Sequence, residues 1–151
     1  MNNHKSYRTF ALMLAASFVI MYAVMFLNVD SLDHIYLSTT RLYMTLLMIS
    51  PMAILMQVFM PNMYQDKRLN VIIVTLSISV FISVFAFLRN QSFVGDVQYM
   101  KAMIPHHSSA ILTSQNAMLR DPEVRKLAND IIKAQEKEIA QMKAMLDRLN
   151  D

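Results

Sequence analysis

The sequence has no cysteine, which removes disulfide cross-links, thiolate metal sites and cysteine nucleophiles from consideration. It has one glycine, Gly95, so neither a loop-rich β-sandwich nor a glycine-rich phosphate cradle fits. Charge is scarce too: 17% of residues are charged, against 55% hydrophobic. Apolar residues in that excess must gather into long runs or the chain would be insoluble, which points to membrane spans. The net charge of +3 is too small and too scattered to imply nucleic-acid binding. What is abundant is methionine, at 15 residues more than a core needs as gap-filler.

Three uncharged runs, Phe10–Leu27, Leu42–Met60 and Val71–Leu88, contain 18, 19 and 18 residues. At about 1.5 Å per residue each nearly crosses a hydrocarbon layer of roughly 30 Å. Residues 1–94 therefore read as a three-span membrane domain. The first run is too long for the apolar part of a signal peptide, and Leu27-Asn28-Val29-Asp30 offers no small-residue cleavage site. Lys5 and Arg8 before the first span, and Lys67 and Arg68 between the second and third, mark the cytoplasmic side. The expected location is a bacterial cytoplasmic (inner) membrane, with the N-terminus inside and everything after Leu88 in the periplasm. No Asp, Glu, Lys, Arg or His lies within a run, which disfavours ion-coupled transport. Met44, Met48, Met52, Met56 and Met60 form an i+4 series in the second run. Such a row drifts about 40° per step around a helix, so it reads as a packing ridge sooner than as a metal conduit. Pro51 is expected to kink that span.

Residues 95–151 carry eight basic and eight acidic side chains and read as an antiparallel helical hairpin. Gly95 is expected to mark a hinge or cap, Asp96 to cap a first helix, 97–119, and Arg120-Asp121 to form a tight turn. Asp121, Pro122 and Glu123 open a second helix that runs to about Asn150. The second helix shows a seam of alternating 3 and 4 spacing: Val124, Ala128, Ile131, Gln135, Glu138, Met142, Met145 and Leu149. The first shows Val97, Met100, Met103, His107, Ala110, Ser114 and Met118. Folding the hairpin at 120–121 sets His107 against Ala134 or Gln135, Met103 against Glu138, and Met100 against Gln141 or Met142. The polar break in one seam thus meets the polar break in the other. His106 points about 100° away from His107, and Pro105 just before them is expected to kink the helix. Outside the hairpin, His4 and His34 are expected in solvated loops, with His34, Asp30 and Asp33 near enough to touch the hairpin.

Thioethers and imidazole without thiolate suit Cu(I), tolerate Cu(II) through His, Gln or Glu, and fit Ag(I) by the same softness. Zinc is less apt, and a di-iron bundle would need inward Glu-x-x-His pairs that the hairpin lacks. Two plainer readings stand beside this one. The methionines are packing, and His107 is a core histidine paired with Glu138.

Three stretches carry a resemblance: Met100-Lys-Ala-Met-Ile-Pro-His-His-Ser-Ser-Ala-Ile, Asp121-Pro-Glu-Val-Arg-Lys-Leu-Ala and Ile132-Lys-Ala-Gln-Glu-Lys-Glu-Ile-Ala-Gln-Met142. Across about residues 95–149 the chain resembles the domain of unknown function 305 family, which includes CopM-like periplasmic copper-binding proteins with ferritin-like helical bundles. Leu42-Tyr-Met through Met63-Tyr-Gln-Asp-Lys-Arg-Leu-Asn70 is similar to the family's membrane-anchored branch. The resemblance implies copper sequestration, tolerance or handover without a catalytic cycle. It implies the ligand set Met100, Met103, His106, His107, Gln135, Glu138 and Met142. Longer members have two hairpins, so a four-helix bundle here would take a homodimer. The alternative function is a helical protein–protein interaction module in which His and Met are structural.

Overall fold

The computed structural model describes the backbone of residues 3–150 and the side chains of residues 5–149. The described residues are helical throughout, without strands: α1 (Asn3–Val24), α2 (Thr39–Phe59), α3 (Lys67–Asn90), α4 (Asp96–Asn116) and α5 (Pro122–Asn150), with a short 3-10 turn at Leu32–His34. They form two compact units. One comprises residues 1–24 and 40–93, the other residues 25–39 and 94–151.

In the first unit, α1, α2 and α3 are long and apolar enough to cross a membrane. Their apolar side chains point outward along much of their length: Leu12, Val19, Ile20, Val71, Leu76 and Ile82 are all more than half exposed. Surface of that kind is tolerable against lipid and not against water. The first helix begins and ends earlier than the run Phe10–Leu27, because residues 25–28 turn away and belong to the other unit. The interior of this unit is a cluster of Phe10, Ala53, Met56 and Tyr64, with Tyr7, Met52 and Met63 against it. The methionine row of α2 divides accordingly. Met52 and Met56 pack into the cluster, while Met44, Met48 and Met60 lie on the surface, as a helix ridge requires. Both α2 and α4 continue through their prolines, Pro51 and Pro105, without interruption.

Helix ends follow the capping residues. Asp66 opens α3 by accepting the amides of Arg68 and Leu69 at 2.9 and 3.1 Å. Asp121 opens α5 by accepting those of Glu123 and Val124 at 2.8 and 3.1 Å. Asp121→Ala is expected to cost about 1 kcal/mol, read as faster amide exchange in the first turn of α5. Two placements differ from the sequence reading. Gly95, not Asp96, holds the cap position of α4, and Asp96 lies inside the first turn. In addition, α4 stops at Asn116, so the connection is the longer stretch 117–121. Thr113 and Asn116 bond back to the carbonyls of Ser109 and Leu112, an alternative to continued helix. The left-handed backbone after α3 falls on Gln91 and Phe93, whereas Gly95 has an ordinary φ of −86°.

In the second unit α4 packs along α5, and the 3-10 turn packs on α4. The core is Met100, Ile104, Ile111, Ile139 and Leu146, flanked by Val97, Ile132, Met142 and, from the segment 25–39, Tyr36.

Candidate functional site

The buried face of α4 is Met100, Ile104, Pro105, His107, Ser108 and Ile111. It keeps Met100 and His107 from the expected seam, but takes Ile104 and Ile111 where Met103 and Ala110 were expected. On α5 the buried line runs through Ala128, Ile139 and Leu146, with Ile132 and Met142 beside it. Glu138 is therefore not a carboxylate sunk in an apolar seam. It stands at the seam's edge with its side chain 50% exposed. Val124, Met145 and Leu149 are also exposed, and Met118 is 97% exposed near the start of the connection.

His107 is buried and both its ring nitrogens are engaged. Nδ1 donates to the carbonyl of Met103 at 2.9 Å, since a carbonyl can only accept. Nε2 lies 2.8 Å from Oε2 of Glu138. The pairing with Glu138 is the one the plainer reading expects, while the facing rule that set His107 against Ala134 or Gln135 is off by one turn. Side chains on a helix lean toward its N-terminus, so the ring sits a turn before its own Cα, at the level that faces Glu138. The contact accounts for the polar break in both helices. A Nδ1–H held by a backbone carbonyl is also the arrangement that leaves Nε2 as the nitrogen for a metal.

The other candidates separate. Met103 is half-buried beside His107 and supplies the carbonyl just described. Met100 is buried in the core, and Met142 packs against it. These two share a cleft of about 340 Å³ with Asp96, Tyr99, Met145, Arg148 and Leu149. Gln135 is half-buried. His106 is exposed, and its ring centroid lies 6.0 Å from that of His107 with 66° between the planes. Pro105 is itself buried, which leaves His106 on the outer face. Among the described residues no three His, Asp or Glu side chains come together as a metal site.

Two features lay outside the sequence reading. Met145 joins Met100 and Met142 in the cleft. The segment 25–39 is bound to the hairpin along its length. Asn28 Nδ2 donates to Ser109 Oγ at 2.8 Å, the Asp30 amide to Ser108 Oγ at 2.7 Å, and the Thr39 amide to Gln98 Oε1 at 2.9 Å. Asp33 pairs with Lys143 of α5. Hydrogen bonds from Lys143 and Ser31 hold the Asp33 carboxyl far below the usual carboxylate range. His34, expected in a solvated loop, has only 12% of its side chain exposed and lies with Nδ1 2.9 Å from Ser108 Oγ. The side chain of His4 lies outside the described residues.

The described residues define a class: an all-α protein with three helices long and apolar enough to cross a membrane and a helical pair in which buried His107 meets the half-exposed Glu138. Residues 91–151 match the family described as "Domain of unknown function (DUF305)", and the chain belongs to that family. Over 139 residues, 90% of each chain, it is 37% identical to "Uncharacterized protein L153" of Acanthamoeba polyphaga mimivirus. That similarity therefore extends into the apolar helices. No solved structure matches.

Proposed function

We propose that the chain is a membrane-anchored copper-binding protein that sequesters or hands over Cu(I), with Ag(I) fitting the same donors, and that it runs no catalytic cycle. The observation that carries this reading is the grouping of Met100, Met142 and Met145 on one cleft of the hairpin, with His107 about two turns along the same face of α4. No cluster of hard donors accompanies them among the described residues, so a bound ion would draw on thioethers and imidazole, a set that favours monovalent copper. Nε2 of His107 is the nitrogen available to such an ion once Glu138, half in solvent, swings away. Of the residues named from the resemblance, His106 is the one whose exposed position fits least.

Topology enters the same proposal. If α2 and α3 both cross a membrane, the segment 25–39 and the hairpin emerge on the same side. The bonds between them support that arrangement. The basic residues flanking α1 and α3 favour a cytoplasmic N-terminus and a periplasmic hairpin in a bacterial inner membrane. The exposed apolar residues of α5, Val124, Leu127 and Leu149, would be covered by a second copy in a homodimeric four-helix bundle.

A second reading has its own support. Both ring nitrogens of His107 are already satisfied by protein groups, as in a structural histidine of an interaction module. The test is a titration of the full chain in mild detergent with Cu(I) under anaerobic conditions. Copper binding predicts an affinity that the triple variant His107→Ala, Met142→Ala, Met145→Ala lowers by about tenfold or more. Equal affinity of the two proteins rejects the site, and the mass of the same sample reports whether the chain is a dimer.

A further inference from the structure

The segment 25–39 is held to the hairpin by a junction that the copper reading does not use. At its centre is Ser108, fully buried on α4. Its Oγ accepts the Asp30 amide at 2.7 Å and lies 2.9 Å from Nδ1 of His34. With the first contact fixed, the hydroxyl proton has a natural acceptor in the lone pair of a neutral imidazole. A protonated ring turns Nδ1 into a donor. Ser108 Oγ can accept from both donors, but its buried hydroxyl proton has then lost the ring as acceptor, away from water.

We propose that His34 is a pH-operated latch: when neutral it holds the segment 25–39 against the hairpin, and when protonated it releases it. The charged surroundings act in the same direction on balance. From α5 the ring faces Lys143 and, across a cleft of about 300 Å³, Glu136. From its own segment it faces Asp30 and Asp33, while α4 brings the neutral groups Ser108 and Ile111. Burial first, and Lys143 second, lower the pKa of His34 against the opposing pull of Asp33 and Asp30. Asp33 Oδ2 lies 3.9 Å from Nε2 of His34 but is already paired with Lys143, so its pull on a protonated ring is shared with a second cation.

The sign follows from linkage. The docked state has the lower pKa, and a free segment has the ordinary value of about 6.5. Docking is therefore complete above about pH 6.5 and weakens as the pH falls through the lowered value. Release uncovers the part of the hairpin core on which Tyr36 packs, the cluster that contains Met100. The latch would operate whether or not the hairpin binds metal.

The absence of cysteine makes the test direct. Nitroxide labels are placed at Leu32→Cys and Lys133→Cys in the full chain in detergent. Both sites are exposed, and Lys133 lies about 15 Å along α5 from Lys143. The distance between labels is measured by pulsed electron resonance at about pH 8 and about pH 5. A narrow distribution at the higher pH, broadening to longer distances at the lower, is expected, together with a His34→Gln background that stays narrow at both. A distribution that ignores pH overturns the latch, as does a pH response that survives in His34→Gln. If His34→Gln is already broad at the higher pH, the ring titration of His34 by nuclear magnetic resonance decides. Titration coincident with release supports the latch, and a ring still neutral after release overturns it.

Discussion

Replacing Ile104 by alanine is expected to loosen the hairpin by about 2–5 kcal/mol, the usual cost of emptying a fully buried branched side chain. Ile104 has no exposed surface and lies in the cluster with Met100, Ile111, Ile139 and Leu146. The cluster that packs on it is apolar, so the lost contacts are not replaced. Because the unit of α1, α2 and α3 has its own core, global melting is a blunt measure. Amide exchange in α4 and α5 reads the effect locally, and a loss of 2 kcal/mol corresponds to about 30-fold faster exchange. Ile104→Val, which keeps most of the volume, is expected to cost about 0.5–1.5 kcal/mol. Exchange in Ile104→Ala that matches the parent within a few-fold would show that this cluster does not hold the hairpin together.

Ile104 also marks where the sequence is ambiguous. Two heptad lines pass through α5 and share Ala128, Gln135 and Met142. One adds Ile131, Glu138 and Met145, the other Ile132, Ile139 and Leu146. Spacing alone accepts both, since each alternates 3 and 4 residues. Choosing by apolarity favours the second, because it buries no carboxylate, and it is the line the fold uses. The same one-step choice on α4 separates Met103 and Ala110 from Ile104 and Ile111. Methionine helped to hide it, being apolar enough for either side. The three long apolar helices were legible because each rests on one long run with no competing pattern. The contact of His107 with Glu138 was legible as one of the plainer readings of the seam, while the facing rule set His107 a turn away, against Ala134 or Gln135, because it matched Cα heights and not the lean of the side chains. The binding of residues 25–39 to the hairpin left only the hint that Asp30, Asp33 and His34 fall on the hairpin's side. Its partners, Ser108, Ser109, Gln98 and Lys143, are ordinary polar residues whose roles arise from tertiary proximity. Met145 was read as seam and is instead the exposed lip of the cleft.

The contact between His107 and Glu138 is where the two functional readings part. Glu138→Ala leaves Nε2 of a buried ring without its protein partner. A stranded buried group costs about 1–3 kcal/mol, and the lower end is expected here because the carboxylate side is half open to water. His107→Ala in the same background removes the stranded group, so the two changes should couple and not add. Both readings expect that much in protein freed of metal by chelation. Copper separates them. If the hairpin binds Cu(I), the ion takes the vacated nitrogen in Glu138→Ala and restores slow amide exchange around 138 on α5, and it restores nothing in His107→Ala. If His107 is only structural, copper leaves exchange in Glu138→Ala as fast as chelation does. Rescue that appears equally in both variants would place the ion away from His107, leaving the thioether cleft of Met100, Met142 and Met145 as the site to dissect.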